Sequence, residues 1–262
     1  MSTPTLSALA ASEWRHAPRR AIVLGAVAGP LMIALTHLVL PLFPERVIDF
    51  MRRGFVLADL AGVLVLNDLM AVYFLAFFIG LAGSLGAVLM AREEHRLEIL
   101  LAKPIRPGDF VAARCVPALA GAMIVGVATA VACGLAVAVH PDIGDSVSPA
   151  GTLGAGLFLT ALALVLVAGL QLLFVRLRDP FLGLLLACFA WLLTCIPAAV
   201  LLYRPDVFQS RPRLADAIVM SSLLWHDATT SWLGPLALAL AVPLAWLLVR
   251  AAGALLARHD AM

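Results

Sequence analysis

Residues 91–114 read AREEHRLEILLAKPIRPGDFVAAR, and their side chains suit docking better than bond-making chemistry. Arg92, Glu93, Glu94, Arg96 and Glu98 alternate charge. Leu97, Ile99, Leu100 and Leu101 supply an apolar face before Lys103-Pro104 ends the helix. Such a short helix has a face with which to grip a partner. Pro107-Gly108 makes a turn, and Asp109 is expected as the N-cap of the helix that follows.

Other chemistry is sparse. There is no Walker A motif, no G-x-S-x-G and no H-E-x-x-H, so the chain offers neither a P-loop nor a recognisable hydrolase site. Cys115, Cys133, Cys188 and Cys195 lie in or beside apolar runs, with no C-x-x-C pair or His at metal-ligand spacing, and read as packing residues. His140 and Trp225-His226-Asp227 are scattered polar groups that do not converge into a catalytic set.

The elements that must position the charged stretch are set by composition. With 63% hydrophobic and 13% charged residues and a mean hydropathy of +1.03, the 262 residues carry more apolar surface than a soluble fold can hide. A single all-α membrane domain, residues 1–262, is the expectation. Six spans are read at residues 21–42, 69–90, 115–139, 152–175, 181–202 and 232–256, each long enough to cross the hydrocarbon core. An amphipathic N-terminal helix precedes them, with Leu6, Leu9, Ala10 and Trp14 on one face. Residues 43–68 and 203–231 are expected to hold short in-plane or re-entrant helices on the outer side, because the apolar run at residues 60–66 is too short to span. The five residues from Arg176 to Pro180 leave room only for a tight hairpin.

Charge orients the layout. With both termini and residues 91–114 in the cytoplasm, twelve of the eighteen Lys and Arg residues fall inside, as the positive-inside rule favours. No acid or base is placed deep in any span, and His37, near the outer end of the first, reads as an interfacial histidine. Gly25, Gly29, Gly80, Ser84 and Gly126 allow close helix contact and are the expected packing and dimer positions.

The charged stretch resembles the signature of type-2 ATP-binding-cassette (ABC) exporter permeases. In that family an acidic run, Gly-Thr-Leu-Glu, Leu-Leu and then Pro follow the second of six spans. Leu97-Glu98, Leu100-Leu101 and Pro104 match in place, Arg114 stands where a basic residue precedes the third span, and His95-Arg96 replace Gly-Thr. The resemblance implies a permease subunit in a bacterial cytoplasmic (inner) membrane, paired with a second permease copy and two separate ATPase subunits. It places ATP and Mg in those subunits, with no cofactor, metal or catalytic residue in this chain. It also implies that residues 91–114 form the coupling segment, with Leu97, Leu100 and Leu101 as anchors in a groove of the ATPase. Glu93, Glu94 and Glu98 would set register there, and Pro104 would end the helix. Two other classes stay open: an ATP-independent secondary transporter or channel, and a polytopic membrane enzyme. The transported substrate is not readable from apolar spans.

Overall fold

The computed structural model describes residues 6–16, 19–39, 42, 60–93, 106–139, 147–203 and 231–259. Their elements are α1 (Leu6–His16), α2 (Arg19–Val39), α3 (Leu60–Ala87), the short α4 (Leu89–Glu93), α5 (Pro107–Val139), α6 (Pro149–Phe174), α7 (Pro180–Tyr203) and α8 (Leu233–His259). No strand occurs among the described residues. The stretches Arg19–Val39, Leu64–Glu93, Gly108–Val139, Pro149–Phe174 and Leu233–Arg258 are long and apolar enough to cross a membrane. The chain is therefore an all-α membrane protein. The 24-residue α7 carries no charge and runs antiparallel to α3, since Gly183 sits beside Leu89 while Thr194 reaches Tyr73.

Local chemistry explains where several helices begin. Ser148 caps α6, its Oγ accepting from the Gly151 amide at 3.2 Å, and Pro149 follows at the position where a missing N–H costs nothing. Asp179-Pro180 repeats the device for α7, with Asp179 Oδ1 accepting from the Phe181 amide at 2.8 Å. The expected hairpin is thus present, from the end of α6 at Phe174 to the start of α7 at Pro180. In α1, Leu6, Leu9, Ala10 and Trp14 are half-buried, while Ser7, Ala8, Ala11 and Arg15 are exposed, which is the amphipathic face read from sequence.

Two boundaries differ from the sequence reading. Residues 60–68 belong to no separate in-plane helix: they are the first turns of α3, which runs unbroken through Asn67 and Asp68. Residues 43–59 and 204–230, where the other short helices were expected, lie outside the described residues. At the start of α5 the helix already begins at Pro107, so Asp109 sits in its first turn and is not the N-cap.

The long helices alternate in direction, and α6 lies in the middle against α3, α5 and α8. One end gathers α1, the start of α2, the end of α3 and the starts of α5 and α7, together with the ends of α6 and α8. Every described arginine lies at this end. The opposite end gathers the end of α2, the starts of α3, α6 and α8, and the end of α5. Its described charged or imidazole groups are His37 and Asp68. Lipid tails are as apolar as leucine, so close packing and hydrogen bonds hold the helices together more than burial does.

Candidate functional site

The charged connection is built on two mountings at the arginine-rich end. The first is the end of α3, where Val88 forms a turn and α4 continues to Glu93. Leu89 and Ala91 are buried, and the Arg92 guanidinium donates to the carbonyls of Val175 at 3.0 Å and Leu177 at 2.7 Å. Val175 is the C-cap of α6 and Leu177 lies in the turn beyond it, so one arginine fastens the root of the connection to the α6–α7 hairpin. A hydrogen bond from a charged donor is worth about 1.5–3 kcal/mol.

The second mounting is the start of α5. Asp109 accepts from Arg250 of α8 in a close ion pair, and the Asp109 and Phe110 amides donate back to the Arg106 carbonyl. About one turn on, Arg114 lies over the Phe110 ring with its Cζ 5.5 Å from the centroid. It reaches Glu13 of α1 at 3.5 Å and the Ala87 carbonyl of α3 at 3.4 Å.

Of the expected coupling residues, Glu93 is described; it is exposed and is the last residue of α4. Glu94, Leu97, Glu98, Leu100, Leu101 and Pro104 lie outside the described residues. The two helix ends that flank residues 94–105 in the chain are each tied by an arginine to a different part of the bundle.

The expected packing residues all make contacts within this chain. A Cβ on Gly25 would meet Val125 of α5 at 3.1 Å, and one on Gly29 would overlap the Thr129 side chain. Gly80 faces Ala122 and Val167, and Gly126 faces Thr160 at 2.6 Å and Ala76 at 3.1 Å. Ser84 is 1% exposed, on the same helix as Gly80. These seams join helices of one chain, so a dimer contact would have to use other faces.

A second polar site lies at the opposite end, and sequence reasoning missed it. Asp68 of α3 and His37 of α2 approach at 2.7 Å between Oδ2 and Nε2, with exposures of 1% and 8%. Ile33, Val72, Ala130 and Cys133 form an apolar cluster. A groove of about 470 Å³ between α2 and α5, lined by Pro30, Ile33, Leu135 and Ala136, reaches His37. The carboxylate's second oxygen, Oδ1, is buried and accepts no hydrogen bond from the described residues. Ionisable groups inside a membrane helix are costly and mark functional sites by default. A carboxylate and an imidazole at this distance can share or pass a proton, or lock α2 to α3. The signal was present: the apolar run before Asn67-Asp68 continues after it, so the helix could have been read across the polar pair.

Among the described residues no three His, Cys, Asp or Glu side chains are grouped to hold a metal. Cys115 and Cys133 are buried and Cys188 and Cys195 half-buried, all as free thiols. His140, His226 and Asp227 lie outside the described residues. No family model, curated protein or solved structure matches the chain, so its own geometry carries the functional reading.

Proposed function

We propose that this chain is the transmembrane permease subunit of an ABC-type exporter, coupled through residues 91–114 to a separate ATPase. One observation carries the reading: the charged, leucine-bearing connection starts and ends on helix ends that Arg92 and Arg250 fasten to α6 and α8. A coupling segment needs such mountings, because force applied to a loose loop is dissipated before it reaches the spans. The resemblance of Leu97-Glu98, Leu100-Leu101 and Pro104 to the exporter signature points the same way.

In this reading α7 is the sixth span, both termini lie in the cytoplasm and the membrane is a bacterial inner membrane. The gathering of the described arginines at one end supports that orientation through the positive-inside rule. Two permease chains and two ATPase chains make the working unit, and ATP and Mg belong to the ATPase. The chain purified from its own cells should bring down an ATPase in equal amount, and the complex should hydrolyse ATP. Full transport activity by the chain alone contradicts the proposal.

The His37–Asp68 pair favours a second reading, a transporter driven by an ion gradient. It predicts substrate movement in vesicles holding this chain alone under a proton or sodium gradient, and loss of that movement in Asp68→Asn.

A further inference from the structure

Tightly packed seams leave their glycines in contact, whereas Gly86 at the arginine-rich end, like Gly108 and Gly169, has open space where a Cβ would stand. A Cβ on Gly83 would meet Ala118 at 2.7 Å and one on Gly121 would meet Ile22 at 3.0 Å, yet one on Gly86 would meet nothing within 4 Å. Gly86 faces a cavity of about 280 Å³ between α1, α2, α3 and α5. Ile22, Ile79, Gly83 and Ala118 wall it, and Glu13 and Arg114 line its polar side. Its size is at the lower edge of small-molecule sites, about 300–1,000 Å³. Ala21 and Ala82, also in its lining, are exposed, so the cavity opens on the flank of the bundle.

The two charged residues stand out from their surroundings. Glu13 follows Leu6, Leu9 and Ala10 on the inward, half-buried face of α1, where an amphipathic helix ordinarily carries apolar side chains. Arg114 has five N–H donors, and its hydrogen bonds among the described residues are the 3.5 Å contact to Glu13 and the 3.4 Å contact to Ala87, both at the outer limit of bonding distance. A spaced cation and anion therefore sit side by side next to an apolar chamber, with bonding capacity to spare.

We infer that this cavity binds a zwitterionic membrane amphiphile, with its ammonium on Glu13, its phosphate on Arg114 and the start of its acyl chain along Gly86 and Ala118. Charge complementarity selects the head. An anionic head is repelled by Glu13, a cationic one by Arg114, and a head carrying both charges completes both partners. The arginine-rich end places this head level with the lipid headgroups of the same side. The site goes beyond the permease reading and needs no ATPase, so the two proposals fail separately.

The test is native mass spectrometry of the full chain in mild detergent. It is titrated with lysophosphatidylethanolamine, with lysophosphatidylglycerol of the same acyl chain, and with free phosphoethanolamine. The wild-type chain should bind the zwitterionic lipid about fivefold more tightly than the anionic one, the scale of one partly exposed charge contact. Phosphoethanolamine without a chain should bind at least tenfold more weakly than its lysolipid. Gly86→Leu, which fills the chamber and leaves both charges in place, should cost the zwitterionic lipid at least tenfold at an unchanged thermal midpoint. Glu13→Gln, on the half-exposed α1, should reverse the head preference whether or not Gly86→Leu folds. Equal binding of the two lipids by the wild type, or a preference that survives Glu13→Gln, overturns the assignment.

Discussion

The two ends of the bundle handle charge in opposite ways. At the arginine-rich end several links are shared among many helices, and most remain partly wet: Arg250 is 43% exposed and Arg114 23%. At the opposite end the His37–Asp68 pair is almost dry. Exposed pairs are each worth about 0.2–1 kcal/mol, whereas removing one member of a buried pair costs about 3–5 kcal/mol. Redundant weak links suit an end that must move and reset under load. A single dry link suits an end whose spacing is fixed, or one that changes state when a proton arrives.

The sharpest break in that contrast is expected at Asp68. Asp68→Ala should destabilise the chain by about 3–5 kcal/mol, read as a large drop in thermal midpoint in mild detergent, because it strands the buried His37. The double change His37→Leu with Asp68→Leu should recover most of that loss if the pair is only structural. Recovery of stability without recovery of transport would assign the pair a working role. Next in size is Arg92→Ala, which frees two carbonyls at the end of α6 and should cost about 1.5–3 kcal/mol. Smallest is Arg250→Gln, at under about 1 kcal/mol, with an effect that shrinks as salt rises from low to about 1 M. An Arg250→Gln loss as large as that of Asp68→Ala would erase the distinction between the ends.

Much of the architecture was legible in the sequence because its causes are local. The tight turn into α7 follows from Asp179-Pro180, the start of α6 is set by Ser148-Pro149, and the face of α1 is spelled by residues three and four apart. What escaped depends on partners distant in sequence. In the sequence Asp68 closes an outer in-plane or re-entrant segment, because the apolar run before it is too short to span alone. The helix tolerates it because His37, 31 residues earlier, supplies a hydrogen-bond partner. The contacts of Arg92 with the end of α6, Arg250 with Asp109 and Glu13 with Arg114 are equally invisible to any local window. The small-residue positions were legible as close contacts, but spacing alone could not tell a seam inside one chain from a seam between two. Within residues 91–114, Glu93 is placed at the end of α4, and Leu97, Leu100 and Leu101 lie outside the described residues.

If residues 91–114 transmit work between an ATPase and the spans, as proposed, Leu100 is the residue at which to interrupt it. Leu100→Asp puts an unpaired carboxylate into the proposed docking groove at a cost of several kcal/mol, while the spans keep their sequence. The measurement is quantitative pull-down, at matched expression, of the ATPase that copurifies with the wild-type chain, together with substrate-stimulated ATP hydrolysis. Leu100→Asp should show at least a hundredfold weaker ATPase binding and loss of stimulation, with the chain still inserted and as abundant as the wild type. Undiminished binding and undiminished stimulation in Leu100→Asp would contradict the proposal and leave residues 91–114 as a solvated connection between two helices.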